Sequence, residues 1–142
     1  LGAGGIANHA FHGYPGDKTG YQARLLLPQY ISAVTGACLV VEKSKYEAAG
    51  GLDEVDLKVA YNDVDFCMKL TSKGLHNVFT PYAELYHYES VSRGKDTSPE
   101  KAERLQKESE VMRQRWGAKL EKDPYYNDSF SYVDACFRFL DK

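Results

Sequence analysis

The run Asn62-Asp63-Val64-Asp65-Phe66-Cys67-Met68-Lys69-Leu70, closed by Gly74, limits what this chain can fold into more than any other stretch. Two acids and an amide stand at its head, where they can satisfy orphan backbone amides and meet the positive end of a helix dipole. Val64, Phe66, Cys67, Met68 and Leu70 then follow so densely that the helix must pack against a sheet. An α/β arrangement is expected: a short mixed sheet flanked by helices, with polar groups gathered where this helix begins.

The flanking segments supply the other layers. Residues 1–30 are rich in Gly, His and Tyr, and Tyr14-Pro15-Gly16-Asp17 reads as a turn. Residues 31–41 are β-rich and mostly apolar, which predicts a buried strand near their end, with Gly36 marking a bulge or a close backbone approach. Ser44 can cap a short helix that Gly50-Gly51 stops. Residues 52–59 read as loop, 75–80 as a short strand ended by Pro81, and 83–88 as a further strand. Ser98-Pro99-Glu100 opens a helix with cap, proline and first-turn acid in order. Ala102, Leu105, Ser109, Met112 and Trp116 predict one buried stripe along it, as a C-terminal appendage that Gly117 ends. The tail is aromatic (Phe130, Tyr132, Phe137, Phe139).

A chain of 142 residues makes one domain, and its 43% apolar content can fill one core. The formal charge of −2 argues against nucleic acid or an anionic membrane as partner. Three widely spaced cysteines (Cys38, Cys67, Cys136) form no CxxC pair or disulfide framework, so a reducing compartment is expected. The longest apolar runs are far too short to span a bilayer. The chain opens on Leu1 rather than methionine, and a piece of something longer is expected.

The acids at 62–65 outnumber what one cap needs. Asp63 is the candidate general base toward a hydroxyl: an unperturbed aspartate, with a pKa of about 3.9, is already ionised at neutral pH. It is a weak base that helps most once the hydroxyl is losing electron density, as in attack on an electron-poor sugar carbon. Asp63-Val64-Asp65 also spells DxD, a metal-chelating pattern in nucleotide-sugar enzymes, but there it usually ends a hydrophobic strand. His87, between a strand end and the loop Ser92-Arg93-Gly94, could complete an oxygen-rich metal shell or be an ordinary packed histidine. Arg93 could clamp a diphosphate bidentately or be a solvated loop residue. Thr35-Gly36-Ala37 would let a substrate approach the backbone, or simply form a bulge. Gly2-Ala3-Gly4-Gly5-Ile6-Ala7 fits a dinucleotide fingerprint but lacks the strand before it and the helix after it. No nucleophile-elbow motif supports a hydrolytic triad.

At these residues the chain resembles the C-terminal half of family 2 glycosyltransferases, inverting enzymes with a GT-A fold. The matching blocks run from Ala33-Val34-Thr35-Gly36-Ala37-Cys38-Leu39 through Gly50-Gly51-Leu52-Asp53-Glu54 and Asn62-Asp63-Val64-Asp65-Phe66-Cys67. They continue through Gly74, Pro81-Tyr82-Ala83-Glu84-Leu85-Tyr86-His87-Tyr88-Glu89-Ser90 and Ser92-Arg93-Gly94 to Arg115-Trp116-Gly117 and Asp123-Pro124-Tyr125-Tyr126-Asn127. The last two blocks look like bacterial members that build surface polysaccharide such as O-antigen.

The resemblance implies Asp63 as catalytic base and His87 as a ligand of Mg²⁺ or Mn²⁺. It puts Arg93 on a loop over the nucleotide diphosphate, Thr35, Gly36 and Ala37 at the donor–acceptor junction, and Asn62 and Asp65 on the acceptor side. Asn62 stands where Glu or Asp is common. The implied reaction moves a sugar from a nucleoside-diphosphate sugar to a hydroxyl of a growing glycan or lipid-linked glycan. It would take place in the cytoplasm, or peripherally at the inner face of the plasma membrane. The N-terminal nucleotide-binding half is not found in these residues, so residues 1–142 are expected to be the acceptor-side portion and silent alone. Two rivals are a non-catalytic glycan-binding module, which Tyr14, Tyr21, Tyr125 and Tyr126 would suit, and a metal hydrolase using Asp63, Asp65 and His87.

Overall fold

The computed structural model describes residues 1–2, 5–88, 98–133 and 137–140. Two short strands, β1 (Gln29–Ile31) and β2 (Asn77–Phe79), pair antiparallel with Tyr30 opposite Val78. The described residues also form three α-helices: α1 (Lys43–Ala48), α2 (Asn62–Ser72) and α3 (Pro99–Trp116). Tight 3₁₀ turns occupy Tyr21–Leu26, Gly36–Cys38 and Gly117–Leu120. The fold is α/β as expected, with an antiparallel rather than a mixed sheet among the described residues.

Helix α2 is the hub, and its dense apolar run explains why. Phe66 and Leu70, one turn apart, pack with Ala49, Leu39, Val41, Tyr46 and Leu75 on one face. Met68, about 200° around the helix from Phe66 at 100° per residue, packs with Ile6, Leu57, Met112 and Leu120. A separate aromatic cluster joins Phe11, near the start of the chain, to Phe130 and Phe137, near its end. Asn77 fastens the sheet to the hub: its buried amide nitrogen donates to the Ser32 carbonyl at 2.9 Å and the Cys67 carbonyl at 3.2 Å.

Three elements differ from expectation. No strand forms near residue 41: Leu39 and Val41 turn inward to the Phe66 cluster, while Val40 between them is 96% exposed with no strand beside it. Residues 83–88 are irregular, and Leu85, Tyr86 and Tyr88 are exposed. The stripe on α3 is buried only in its second half, at Ser109, Met112 and partly Trp116, whereas Ala102 and Leu105 face solvent. Length accounts for this. The 18 residues of α3 extend about 27 Å against about 16 Å for the 11 residues of α2, so its first turns outreach that helix. The helix starts as predicted, with the Ser98 hydroxyl accepting the Lys101 amide at 3.3 Å.

Candidate functional site

The chain enters α2 under tight control. The buried carboxylate of Glu108, on α3, accepts the Val59 and Ala60 amides at 3.2 and 2.6 Å. Tyr61 then adopts φ = 61°, a left-handed conformation that a non-glycine residue holds only when its surroundings impose it. This sharp turn begins the helix at Asn62 and leaves Asp63 half-buried in the first turn. Neither Asn62 nor Asp63 is the cap, as had been expected. Tyr61 occupies that position without a side-chain bond, and Asp63 acts from inside the first turn.

Asp63 Oδ1 accepts its neighbour's amide, Val64 N–H, at 2.8 Å. Oδ2 reaches across to the turn at 35–37 and accepts the Gly36 N–H at 2.7 Å. Gly36 is there for space. A Cβ at that position would lie 3.3 Å from Asp63 Cβ and 3.4 Å from Oδ2. Thr35 shapes the turn by accepting the Ala37 amide at 3.3 Å, and Gly36 and Ala37 are exposed. The expected close approach at Gly36 is therefore met by Asp63 itself. The result is an aspartate fixed by two N–H groups beside an open glycine turn, with oxygen lone pairs left to take a proton from a hydroxyl resting there.

Asp65, expected at an acceptor site, is held away from the Gly36 turn. Its side chain is fully buried, because residue 65 points toward α3 rather than toward the turn. Oδ1 accepts from Arg115 Nη1 at 3.0 Å and from the Trp116 indole N–H at 2.9 Å. Oδ2 sits 2.8 Å from Lys69 Nζ, close enough for strong attraction though not aligned as a hydrogen bond. Arg115 also pairs with Asp53 at 2.9 Å and reaches Asp56 at 3.5 Å. Sequence reasoning missed this fastening and Glu108 with it. Asp53, Asp65, Arg115 and Trp116 all stood in the quoted blocks, but one sequence does not say which acid meets which base.

The Asp56 amide, helped by Arg115 and the Val55 amide and opposed by burial, holds Asp53 at about 2. A carboxyl depressed in the folded state stabilises above its unfolded value and loses that contribution as pH falls through the folded one. Asp53→Asn should thus cost about 1–2 kcal/mol near neutrality, with the gap from wild type closing between about pH 4 and 2 in urea unfolding. A gap that stays constant across that window would contradict the assignment.

Cys67, one turn beyond Asp63, is no nucleophile. Burial pushes its thiol up to about 11, with the Asp63 charge adding to the push and the Val34 carbonyl opposing it. Cys38 and Cys67 are both free. His87 is exposed on the irregular segment after β2. Arg93 lies outside the described residues, so the convergence of Asp63, His87 and Arg93 is not something these residues display. Among the described residues no three of His, Cys, Asp and Glu come together to hold a metal ion. No described helix is long and apolar enough to cross a membrane.

Similarity searches bear on what this site serves. No family profile and no solved structure matches the chain. It is 47% identical over 131 residues to an uncharacterized protein of Sinorhizobium fredii, covering 92% of the chain and 14% of that protein. It is 38% identical over 96 residues to the O-antigen biosynthesis protein RfbC of Myxococcus xanthus, covering 67% of the chain and 7% of that protein. Over 80 residues it is 32% identical to the N-acetylglucosaminyl-diphospho-decaprenol L-rhamnosyltransferase of Mycobacterium tuberculosis, covering 55% of the chain and 26% of that enzyme. Of these relatives, one is named for O-antigen biosynthesis and one as a rhamnosyltransferase. The chain spans about a quarter or less of the length of each of these relatives.

Proposed function

We propose that this chain is the acceptor-side portion of an inverting glycosyltransferase of family 2, with a partial GT-A fold, in which Asp63 is the catalytic base. The observation that carries this reading is the bond from the Gly36 amide to Asp63 Oδ2, which holds an ionisable carboxylate at an exposed turn. In the proposed step an acceptor hydroxyl rests over Thr35-Gly36-Ala37 and attacks the anomeric carbon of a nucleoside-diphosphate sugar. Asp63 takes the hydroxyl proton, and the nucleoside diphosphate leaves from the opposite face with the bonding pair. Inversion follows from that single displacement. Arg93 would meet the departing diphosphate. Asn62, half-buried beside Asp63, stays an acceptor contact in this reading; Asp65 instead fastens α2 to α3.

His87 could be one ligand of a Mg²⁺ or Mn²⁺ ion only if the remaining donors come from a nucleotide-binding portion outside these residues. The reaction would belong to surface-glycan assembly at the inner face of the membrane, which suits free thiols and the relatives' names. A direct test incubates the full-length protein with a nucleoside-diphosphate sugar and a lipid-linked glycan acceptor. A product of inverted anomeric configuration is expected; retained configuration, or release of free sugar alone, would contradict the reading.

Gly36→Ala probes the close approach specifically. The new methyl must push the Asp63 side chain by a few tenths of an ångström, and such misplacement is expected to slow transfer about tenfold while the fold survives. Circular dichroism and turnover measured together check this, and unchanged turnover would remove the turn from the active site.

A further inference from the structure

A shallow surface hollow of about 480 Å³, wide open to solvent and lined among others by Arg24, Gln29, Tyr30, Tyr125 and Asn127, lies outside the Asp63 turn. The rings of Tyr30 and Tyr125 stand 6.5 Å apart at 48°, forming a V. His76 stacks on Tyr30 at 4.6 Å, yet the residue stays 54% exposed. Tyr125 is anchored through its amide to buried Asp123 at 2.8 Å, which also accepts the Ser32 hydroxyl at 2.7 Å. The polar rim is held in place too. The Gln29 amide nitrogen donates to the Arg24 and Leu27 carbonyls, leaving its oxygen to accept, and Asn127 Oδ1 accepts the Ser129 amide, leaving its NH₂ to donate. The Arg24 guanidinium lies 4.8 Å over the Phe137 ring.

We propose that this hollow is a subsite for a neutral pyranose unit of the acceptor glycan, a role that rests on the transferase reading above. The negative ring faces of Tyr30 and Tyr125 attract the partly positive C–H face of a sugar, and the rim pairs with its hydroxyls. One arginine is too few for a diphosphate, which favours a neutral ring. Tyr30 is six residues from Gly36, so chain geometry keeps its backbone within about 20 Å of the Asp63 turn.

Saturation-transfer NMR on the chain tests this without any transfer reaction, using methyl α-L-rhamnopyranoside, methyl N-acetyl-β-D-glucosaminide and uridine diphosphate as probes. Saturation should reach the ring protons of at least one glycoside, fall about fivefold in Tyr125→Ala and Tyr30→Ala, and persist in Tyr125→Phe, which keeps the ring face. Circular dichroism identifies a variant that fails to fold, and Tyr125→Phe together with Asn127→Ala then carries the comparison. Saturation of uridine diphosphate alone, of no probe, or equally of wild type and a folded Tyr125→Ala would overturn the subsite. Glycoside binding by a full-length protein that transfers no sugar would defeat the transferase reading and leave the pyranose site standing.

Discussion

Asp65→Ala is expected to lower the unfolding free energy by about 3 kcal/mol and the melting temperature by about 10 °C. Asp65 is fully buried, so its removal does not return a charge to water; it strands the groups that were aimed at it. The Trp116 indole N–H loses its acceptor. Arg115 keeps Asp53 and Lys69 keeps the Gly51 carbonyl at 3.3 Å, which holds the loss at the lower end of what breaking a buried pair costs. Asp65→Asn, able to retain the Trp116 bond, should lose about half as much. The contrast is Glu103–Lys107, just as close at 2.7 Å but exposed on both sides, where substitution should change nothing measurable. Urea unfolding compares the three, and an Asp65→Ala midpoint equal to wild type would show that α3 is not fastened through this carboxylate.

The same geometry explains which parts of the molecule were legible in the sequence. Helix α2 was, because its apolar density and its acidic start both act within a dozen residues. Gly36 was legible as a close approach, since only glycine tolerates one; what approaches it was not, because Asp63 is 27 residues further along the chain. Asp63 and Asp65 look alike in sequence, yet one faces the turn and the other the core. Two residues on a helix differ by about 200° in direction, and only the placement of α3 decides which acid is buried. The Ser98 cap was read correctly because capping is local, while the stripe behind it failed because burial depends on how far the neighbouring helix reaches. Glu108 gave no signal: a lone acid in a charged helix looks solvated until the Val59 and Ala60 amides are found beside it.

The central claim is that Asp63 takes the proton from the acceptor. In Asp63→Asn the amide oxygen can keep the Gly36 N–H, while its NH₂ replaces the acceptor of the half-buried Val64 N–H. One of the two bonds is lost at nearly the same volume, so the fold should survive with its melting temperature lowered by a few degrees. What disappears is the basic oxygen, and loss of a general base costs about 10²–10⁴-fold in rate. The decisive measurement is sugar transfer by the full-length protein and its Asp63→Asn variant, with folding checked in parallel. The account predicts a folded variant whose transfer rate is at least about a hundredfold lower, and a folded variant with near-normal transfer would contradict it.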